Sequence, residues 1–117
     1  MVQIETREAL DLVEQIAPMV DVLFVGPFDL GNNIGHPIID GKMDPELDDA
    51  IARVLQAAQT AGKKCGIFCT SGKQAQAFAN AGFHMISAAT DYTLLGAAMA
   101  ESIATARGRQ HNQVASY

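Results

Sequence analysis

The sequence has no dense cluster of basic residues. Eight Lys and Arg residues are spread over 117 positions against 13 acidic ones, which gives a formal net charge of -5 at pH 7. Binding to nucleic acid or to an anionic membrane surface needs basic patches that neutralise phosphates. The chain is therefore expected to have neither nucleic acid nor a membrane as a partner.

Long hydrophobic runs are also lacking. No apolar stretch approaches the roughly 20 residues that a membrane-spanning helix requires, and the first residues have neither the basic end nor the apolar core of a signal peptide. These two absences predict a cytoplasmic protein.

Cysteine is scarce, and its two copies lie in one strand-like segment. Cys65 and Cys69 are four positions apart, about 13 Å in an extended strand at ~3.3 Å per residue, which is too far for a disulfide. They are predicted to be reduced and buried.

The most informative segment that is present runs from 22 to 35. Its first four residues, 22–25, are all apolar, which predicts a parallel strand covered on both faces. Gly26 and Pro27 should end this strand, so Phe28 and Asp29 are predicted to lie in the loop after its carboxyl end. Ligands bind at that edge in parallel α/β folds.

The rest of the chain alternates between strand and helix patterns. Strands are predicted at 2–5, 22–25, 64–69 and 83–88, and helices at 6–18, 44–62, 71–82 and from 91 to about 107. The Gly-, Asn- and Pro-rich segment 26–43 is predicted to be a functional loop. In the last helix, Leu95, Ala98, Met99 and Ile103 are expected to face inward.

This order predicts an α/β fold with a parallel sheet and right-handed crossovers. Four βα units are half of a (β/α)8 barrel, for which about 250 residues are typical. Residues 1–107 are predicted to form this half-barrel, and the polar tail 108–117 is predicted to be disordered.

Two carboxylates are predicted to meet at the carboxyl edge of the sheet. Glu5 and Asp29 each come at or after the end of one of two adjacent strands. Hard divalent cations prefer such oxygen ligands together with waters and an oxygen-rich substrate. Gln3 lies on the same strand face as Glu5, and the backbone N–H groups of Phe28 and Asp29 can bind a carboxylate. Each acid taken alone is equally well explained as a helix cap or a salt-bridge partner.

Several motifs together resemble the C-terminal half of the HpcH/HpaI aldolase and citrate lyase family. They are Val-Gln-Ile-Glu-Thr at 2–6, Val-Asp-Val-Leu-Phe-Val-Gly-Pro-Phe-Asp-Leu at 20–30, Gly-His-Pro at 35–37, Ala-Gly-Lys at 61–63 with Gly-Ile at 66–67, and Thr-Asp-Tyr-Thr-Leu-Leu at 90–95. The resemblance implies a (β/α)8 barrel that cleaves 4-hydroxy-2-oxo acids to pyruvate and an aldehyde, as a class II aldolase.

The resemblance also implies roles for individual residues. Glu5 and Asp29 match the family's metal ligands, with Mg²⁺, Mn²⁺ or Co²⁺ as the cofactor. Gln3, Phe28 and Asp29 match its substrate-binding positions. Phe28 is a departure, because the family usually has Ala there. The family's catalytic His, Asp and Arg belong to the N-terminal half, which this chain is expected to lack.

Two functions follow as alternatives. The first is a lyase module that acts on a small 2-oxo acid once the other barrel half is supplied. The second is a truncated, inactive half-barrel that binds metal or pairs with other chains. Both predict an exposed apolar surface, and therefore a homo-oligomer or pairing with another barrel half. A flavodoxin-like binder is weaker, because no fifth strand or phosphate loop is found.

The remaining polar residues have structural interpretations that are preferred to functional ones. His36 is interpreted as loop structure or an interface contact and not as the missing base, and His84 as a histidine within a strand. Segment 70–73 opens a helix and could cradle an anion, although helix capping explains it. Asp91 is interpreted as a helix cap.

Overall fold

The computed structural model describes residues 1–108. A single four-stranded parallel sheet has the order β1-β2-β3-β4. The elements along the chain are β1 Val2–Ile4, α1 Arg7–Asp11, α2 Val13–Ile16, a 3-10 turn Ala17–Met19, β2 Val22–Val25, α3 Pro27–Ile34, α4 Pro45–Thr60, β3 Lys64–Ile67, α5 Gly72–Ala81, β4 Met85–Ile86 and α6 Asp91–Ala106. This confirms the predicted alternation, and the architecture is that of half a (β/α)8 barrel.

The hydrophobic core lies between one face of the sheet and the helices. The strand residues of this face have no solvent exposure: Ile4, Leu23, Val25, Cys65 and Ile67. Helix α4 packs over β2 and β3 with Leu47, Ile51 and Val54 buried. Each fully buried aliphatic side chain of this size contributes about 1.5–3 kcal/mol, so this layer supplies most of the stabilisation.

The other face of the sheet is open in the described chain. The register aligns Gln3, Phe24, Gly66 and Met85 in one row across this face. Phe24 is only half-buried and Met85 is exposed. The prediction that 22–25 is covered on both faces was therefore wrong. Crossovers of one hand between sequential neighbours put the helices that connect the strands on the same side, as in a barrel wall.

Helix α3 replaces the first part of the predicted loop 26–43, so Phe28 and Asp29 lie in a helix. Pro27 is suited to the first helical position because its ring presets φ and its missing N–H would have no partner there. Leu30 and Ile34, four residues apart, are buried against the core. Gly35, at φ 87°, ends the helix in the left-handed conformation. The Gly and Asn content concealed this short amphipathic pattern.

Two other predicted boundaries differ. The first helix breaks at Leu12 and passes through Pro18 as a 3-10 turn instead of stopping before it. The fourth strand is shortened to Met85–Ile86, so His84 is outside it and exposed. As an edge strand, β4 has only β3 to pair with.

Helix α6 is present, but its inward face was wrongly predicted. Tyr92 is 88% exposed, and the four larger apolar residues that follow are between 49% and 64% exposed: Leu94, Leu95, Met99 and Ile103. Thr90, and not Asp91, is its N-cap, because the Thr90 side chain accepts the N–H of Thr93. The helix has no neighbour within the described chain that covers these side chains.

The predicted disordered tail lies, apart from Gly108, outside the described residues. Within the described part, none of the helices has the length and apolar character to cross a membrane.

Candidate functional site

Gly26 lies at the carboxyl edge of the sheet and contacts two side chains of the predicted site, those of Gln3 and Glu5. Its N–H donates to the Ile4 carbonyl, which continues the pairing of β2 with β1 by one residue. A Cβ placed on Gly26 would stand 2.8 Å from Gln3 Nε2 and 3.3 Å from Glu5 Oε2. The Gln3 amide and the Glu5 carboxylate therefore occupy the space that the glycine leaves free.

Asp29 lies at the same edge, in the first turn of α3. The first intrahelical bond of α3 joins the Leu30 N–H to the Gly26 carbonyl at 2.9 Å. The N–H groups of Phe28 and Asp29 precede this bond and are thus available to an anion, in the region where the helix dipole favours negative charge. Glu5 is half-buried and Asp29 is exposed.

The position of α3 relative to Glu5 is held by Arg7. The Arg7 N–H donates to Asn33 Oδ1 at 2.7 Å, and Arg7 Nη2 donates to the Ile34 carbonyl at 2.6 Å. These two bonds tie the chain just after β1 to the end of α3. The two carboxylates therefore belong to segments that are linked directly as well as through the sheet.

The donor set at this edge fits a divalent cation. Its carboxylates, those of Glu5 and Asp29, are oxygen ligands of the kind that Mg²⁺ and Mn²⁺ prefer. The missing side chain at Gly26 provides the space in which the Glu5 carboxylate lies. The residues present therefore suit the predicted cofactor.

Phe28, the residue that departs from the family pattern, forms an aromatic contact. Its ring meets that of Phe68 edge to face, with centroids 6.3 Å apart. Phe68 follows β3, and its N–H donates to the Val25 carbonyl. The Phe28 ring is thereby held near the open face while remaining 42% exposed.

A cavity of about 410 Å³, the rim pocket, lies beside Phe28. Its walls come from the start of α3, the loop that follows α3 and the start of α5. The lining residues are Phe28, Ile38, Asp40, Gly41, Thr70, Ser71, Lys73, Gln74 and Ala77. Ser71 caps α5, as predicted, by accepting the Gln74 N–H at 3.3 Å.

A second concave site lies away from this edge. A groove of about 360 Å³ runs between Pro18 and α4. At its rim Glu14 and Arg53 form two hydrogen bonds at 2.8 and 2.9 Å, and the Arg53 guanidinium lowers the pKa of Glu14. This groove contains none of the predicted site residues.

Sequence reasoning missed the hydrogen bond between His36 and Asp44. His36 Nδ1 lies 2.7 Å from Asp44 Oδ2 and 4.0 Å from Glu46 Oε2. Desolvation raises the pKa of Asp44, but hydrogen bonds from His36 and from the Leu47 N–H outweigh it and hold this pKa below its ordinary value. His36 is therefore tied to the start of α4, in agreement with its structural interpretation, and the seven intervening residues gave no local signal of the contact.

Comparison with known proteins identifies relatives that match most of the chain. The family model described as HpcH/HpaI aldolase/citrate lyase matches residues 1–98. A hydroxypyruvate/pyruvate aldolase from Rhizorhabdus wittichii is 42% identical over 110 residues, covering 92% of this chain and 43% of that protein. A 4-hydroxy-2-oxo-heptane-1,7-dioate aldolase from Klebsiella pneumoniae is 38% identical over 97 residues, covering 81% of this chain and 36% of that protein.

A solved structure shows the same fold. A family protein from Burkholderia cenocepacia superposes with a TM-score of 0.83 at 37% identity, over 91% of this chain and 41% of that one. The chain thus spans less than half the length of each of these three proteins.

Proposed function

Because this chain belongs to the HpcH/HpaI aldolase/citrate lyase family, we propose that it is the metal- and 2-oxo-acid-binding half of a class II aldolase. Such an enzyme cleaves 4-hydroxy-2-oxo acids to pyruvate and an aldehyde. The observation that carries the proposal is the packing of the Gln3 amide and the Glu5 carboxylate against Gly26. Gly26 is also the N-cap of α3, whose first turn contains Asp29.

The proposed roles follow from the chemistry of each group. Glu5 and Asp29 hold a divalent cation, Mg²⁺, Mn²⁺ or Co²⁺, through carboxylate oxygens. Gln3 donates its amide N–H to the 2-oxo acid, and the N–H groups of Phe28 and Asp29 donate to the substrate carboxylate. When bound, the cation supplies Lewis-acid polarisation of the substrate oxygens.

The proton-transfer groups are proposed to come from elsewhere. Among the described residues, His36 is held by Asp44. The Nδ1 atom of His84 lies 3.4 Å from the backbone nitrogen of Cys65, at the amino-terminal part of β3. In each of these histidines Nδ1 is thus engaged within the chain. A base and an Arg are therefore proposed to belong to the other barrel half, which would cover the open face of the sheet by pairing of the two halves or in a homo-oligomer.

The proposal is tested by titrating the purified chain with Mn²⁺ in a calorimeter. Glu5→Gln and Asp29→Asn should each weaken Mn²⁺ binding at least about tenfold, because each removes one charged ligand. Asp48→Asn, which changes an exposed acid of α4, is the matched control and should bind as the unmodified chain does. Equal affinity in all four proteins would refute the proposed metal site.

A second candidate function is an inactive half-barrel that binds metal or pairs with other chains. The uncovered row of Gln3, Phe24 and Met85 gives another chain a surface to pair with, and both candidate functions need such pairing. Assaying a 4-hydroxy-2-oxo acid for pyruvate release, with Mn²⁺ and the longer protein that contains this chain, separates the two. Metal binding without pyruvate release would support the inactive form.

A further inference from the structure

Two helix ends beside the proposed metal site satisfy each other's backbone groups. Arg7 is the first residue of α1, and its N–H, which has no partner inside that helix, donates to Asn33 Oδ1 at 2.7 Å. Ile34 is the last residue of α3, and its carbonyl accepts from Arg7 Nη2 at 2.6 Å. The guanidinium thus lies at the carboxyl end of α3, where the helix dipole favours a cation. These two hydrogen bonds are together named the Arg7–Asn33 clamp.

Each side of the clamp is close in sequence to one of the proposed metal ligands. Arg7 follows Glu5 with only Thr6 between them. On the other side, Asn33 comes four residues after Asp29 in α3, so the two side chains lie one turn apart on the same face of that helix. The clamp therefore joins the segment that carries Glu5 to the helix face that carries Asp29.

The clamp is the polar part of the anchoring of α3. Within residues 1–108 it supplies the only side-chain hydrogen bonds that join this helix to another segment. The other anchors are the buried side chains of Leu30 and Ile34 and the backbone bond of Gly26 to β1. Burial of apolar groups has no preferred direction, whereas a hydrogen bond does. The rotation of α3 about its axis, and with it the direction of the Asp29 carboxylate, therefore depends on the clamp.

We propose that Arg7 is a positioning residue of the metal site. Through the clamp it fixes the separation of the Glu5 and Asp29 carboxylates, and thereby sets the affinity for the divalent cation. The inference rests on the proposed function, since it takes these two acids as the metal ligands. Arg7 itself contacts neither the cation nor the substrate in this role. Groups that orient metal ligands typically contribute about 10–100-fold in metal affinity.

The test measures Mn²⁺ affinity by calorimetry and stability by urea denaturation in the same variants. Arg7→Ala should weaken Mn²⁺ binding about tenfold, although removal of a positive charge would by itself strengthen the binding of a cation. Arg7→Lys should retain most of the affinity, because lysine keeps the charge and an N–H donor. Asn33→Ala should also weaken binding. The double variant should lose less affinity than the two single losses combined, because both bonds hold the same helix end.

Arg53→Ala is the matched control. Arg53 also joins two helices through its guanidinium, by two hydrogen bonds to Glu14 at 2.8 and 2.9 Å, but it lies at the groove beside Pro18. This variant should bind Mn²⁺ as the unmodified chain does, whatever its loss of stability. Unchanged or increased Mn²⁺ affinity in Arg7→Ala would overturn the inference. An equal loss of affinity in Arg53→Ala would overturn it as well, because affinity would then follow general stability.

The failure of this inference is distinguishable from the failure of the proposed function. Mn²⁺ binding that depends on Glu5 and Asp29 but not on Arg7 would remove the inference and leave the metal site intact. Mn²⁺ binding that ignores both acids would refute the metal site and the inference with it. A measurement without metal isolates the clamp: the NMR amide signals of Phe28 and Asp29 should move in Arg7→Ala and stay in place in Arg53→Ala. Unmoved signals in Arg7→Ala would show that the clamp does not position α3.

Discussion

The Phe24 ring lies directly over Gly66 on the open face of the sheet. A Cβ at position 66 would stand 2.6 Å from Phe24 Cδ2 and 2.8 Å from the backbone oxygen of Met85. Such distances are not compatible with normal packing, so the absence of a side chain at 66 is what allows β2, β3 and β4 to carry Phe24 at this position.

Gly66→Ala should therefore destabilise the chain. Part of the contact could be relieved by turning the Phe24 ring, but the Met85 oxygen belongs to the backbone of β4 and cannot move independently. We expect a loss of about 1–3 kcal/mol in the free energy of unfolding, measured by urea denaturation. Gly96→Ala is the control: a Cβ there meets no atom within 4 Å, and alanine favours the helix. Equal stability of the two variants would contradict the packing described for Phe24.

Gly26→Ala should affect the metal site more than the fold. The atoms that a Cβ would meet are Gln3 Nε2 and Glu5 Oε2, the far ends of flexible side chains, and φ at Gly26 is -100°, which alanine tolerates. We expect little change in melting temperature and an approximately tenfold or greater loss of Mn²⁺ affinity, measured by calorimetry. Unchanged Mn²⁺ affinity in a folded variant would show that the Glu5 carboxylate need not lie at Gly26 to bind the cation.

Asp44 should make stability depend on pH in the acid range. Its pKa is held below the ordinary value of 3.8 mainly by the hydrogen bond from His36, against the opposing effect of desolvation. A depressed pKa contributes stability that is present above about pH 3.8 and is lost as the pH falls through the lower, folded-state pKa.

The measurement is the melting temperature of the unmodified chain and of Asp44→Asn between pH 7 and pH 2.5. Asn keeps the capping oxygen but cannot ionise, so the variant should lose less melting temperature on acidification. Glu46→Gln is the control, because Glu46 is also near His36 but is 4.0 Å away. Identical acid profiles for Asp44→Asn and the unmodified chain would contradict the prediction.

The two cysteines should be inert in the folded chain. Both have no solvent exposure, and burial raises the pKa of Cys65 to about 12 and raises the pKa of Cys69. Because the thiolate is the reactive form, a chromogenic disulfide reagent at pH 8 should label neither thiol within minutes. In 6 M guanidinium chloride it should label both. Rapid labelling of one thiol in the native chain would contradict this prediction, because it would show that the segment around that thiol opens to solvent.

Local chemistry explains why most helix boundaries could be predicted. Asp44 followed by Pro45 begins α4, Ser71 caps α5, and Gly82 ends α5 in the left-handed conformation at φ 106°. Each signal acts within three or four residues, through a side chain that satisfies a backbone group or a residue that permits a particular φ. Such signals need no knowledge of the rest of the molecule.

The wrong predictions concern features that depend on contacts between segments far apart in the chain. Segment 27–34 has no helical signal in the sequence because the stability of α3 comes from burial of Leu30 and Ile34 and not from residues of high helix propensity. The apolar run in β2 predicted two covered faces, and the pattern of α6 predicted an inward face. Both patterns report that a surface is suited to burial, and neither says which element covers it.

The sequence by itself determined the order of the βα units, the ends of α4 and α5 and the position of Glu5 and Asp29 at strand ends, because alternation and capping are local properties. Only the tertiary structure decided that one sheet face and α6 are left uncovered within residues 1–108, that Gly26 admits the Gln3 and Glu5 side chains, and that His36 pairs with Asp44. These features depend on distances between segments far apart in the chain, which are set by strand register and by the packing of α3 and α4 on the sheet.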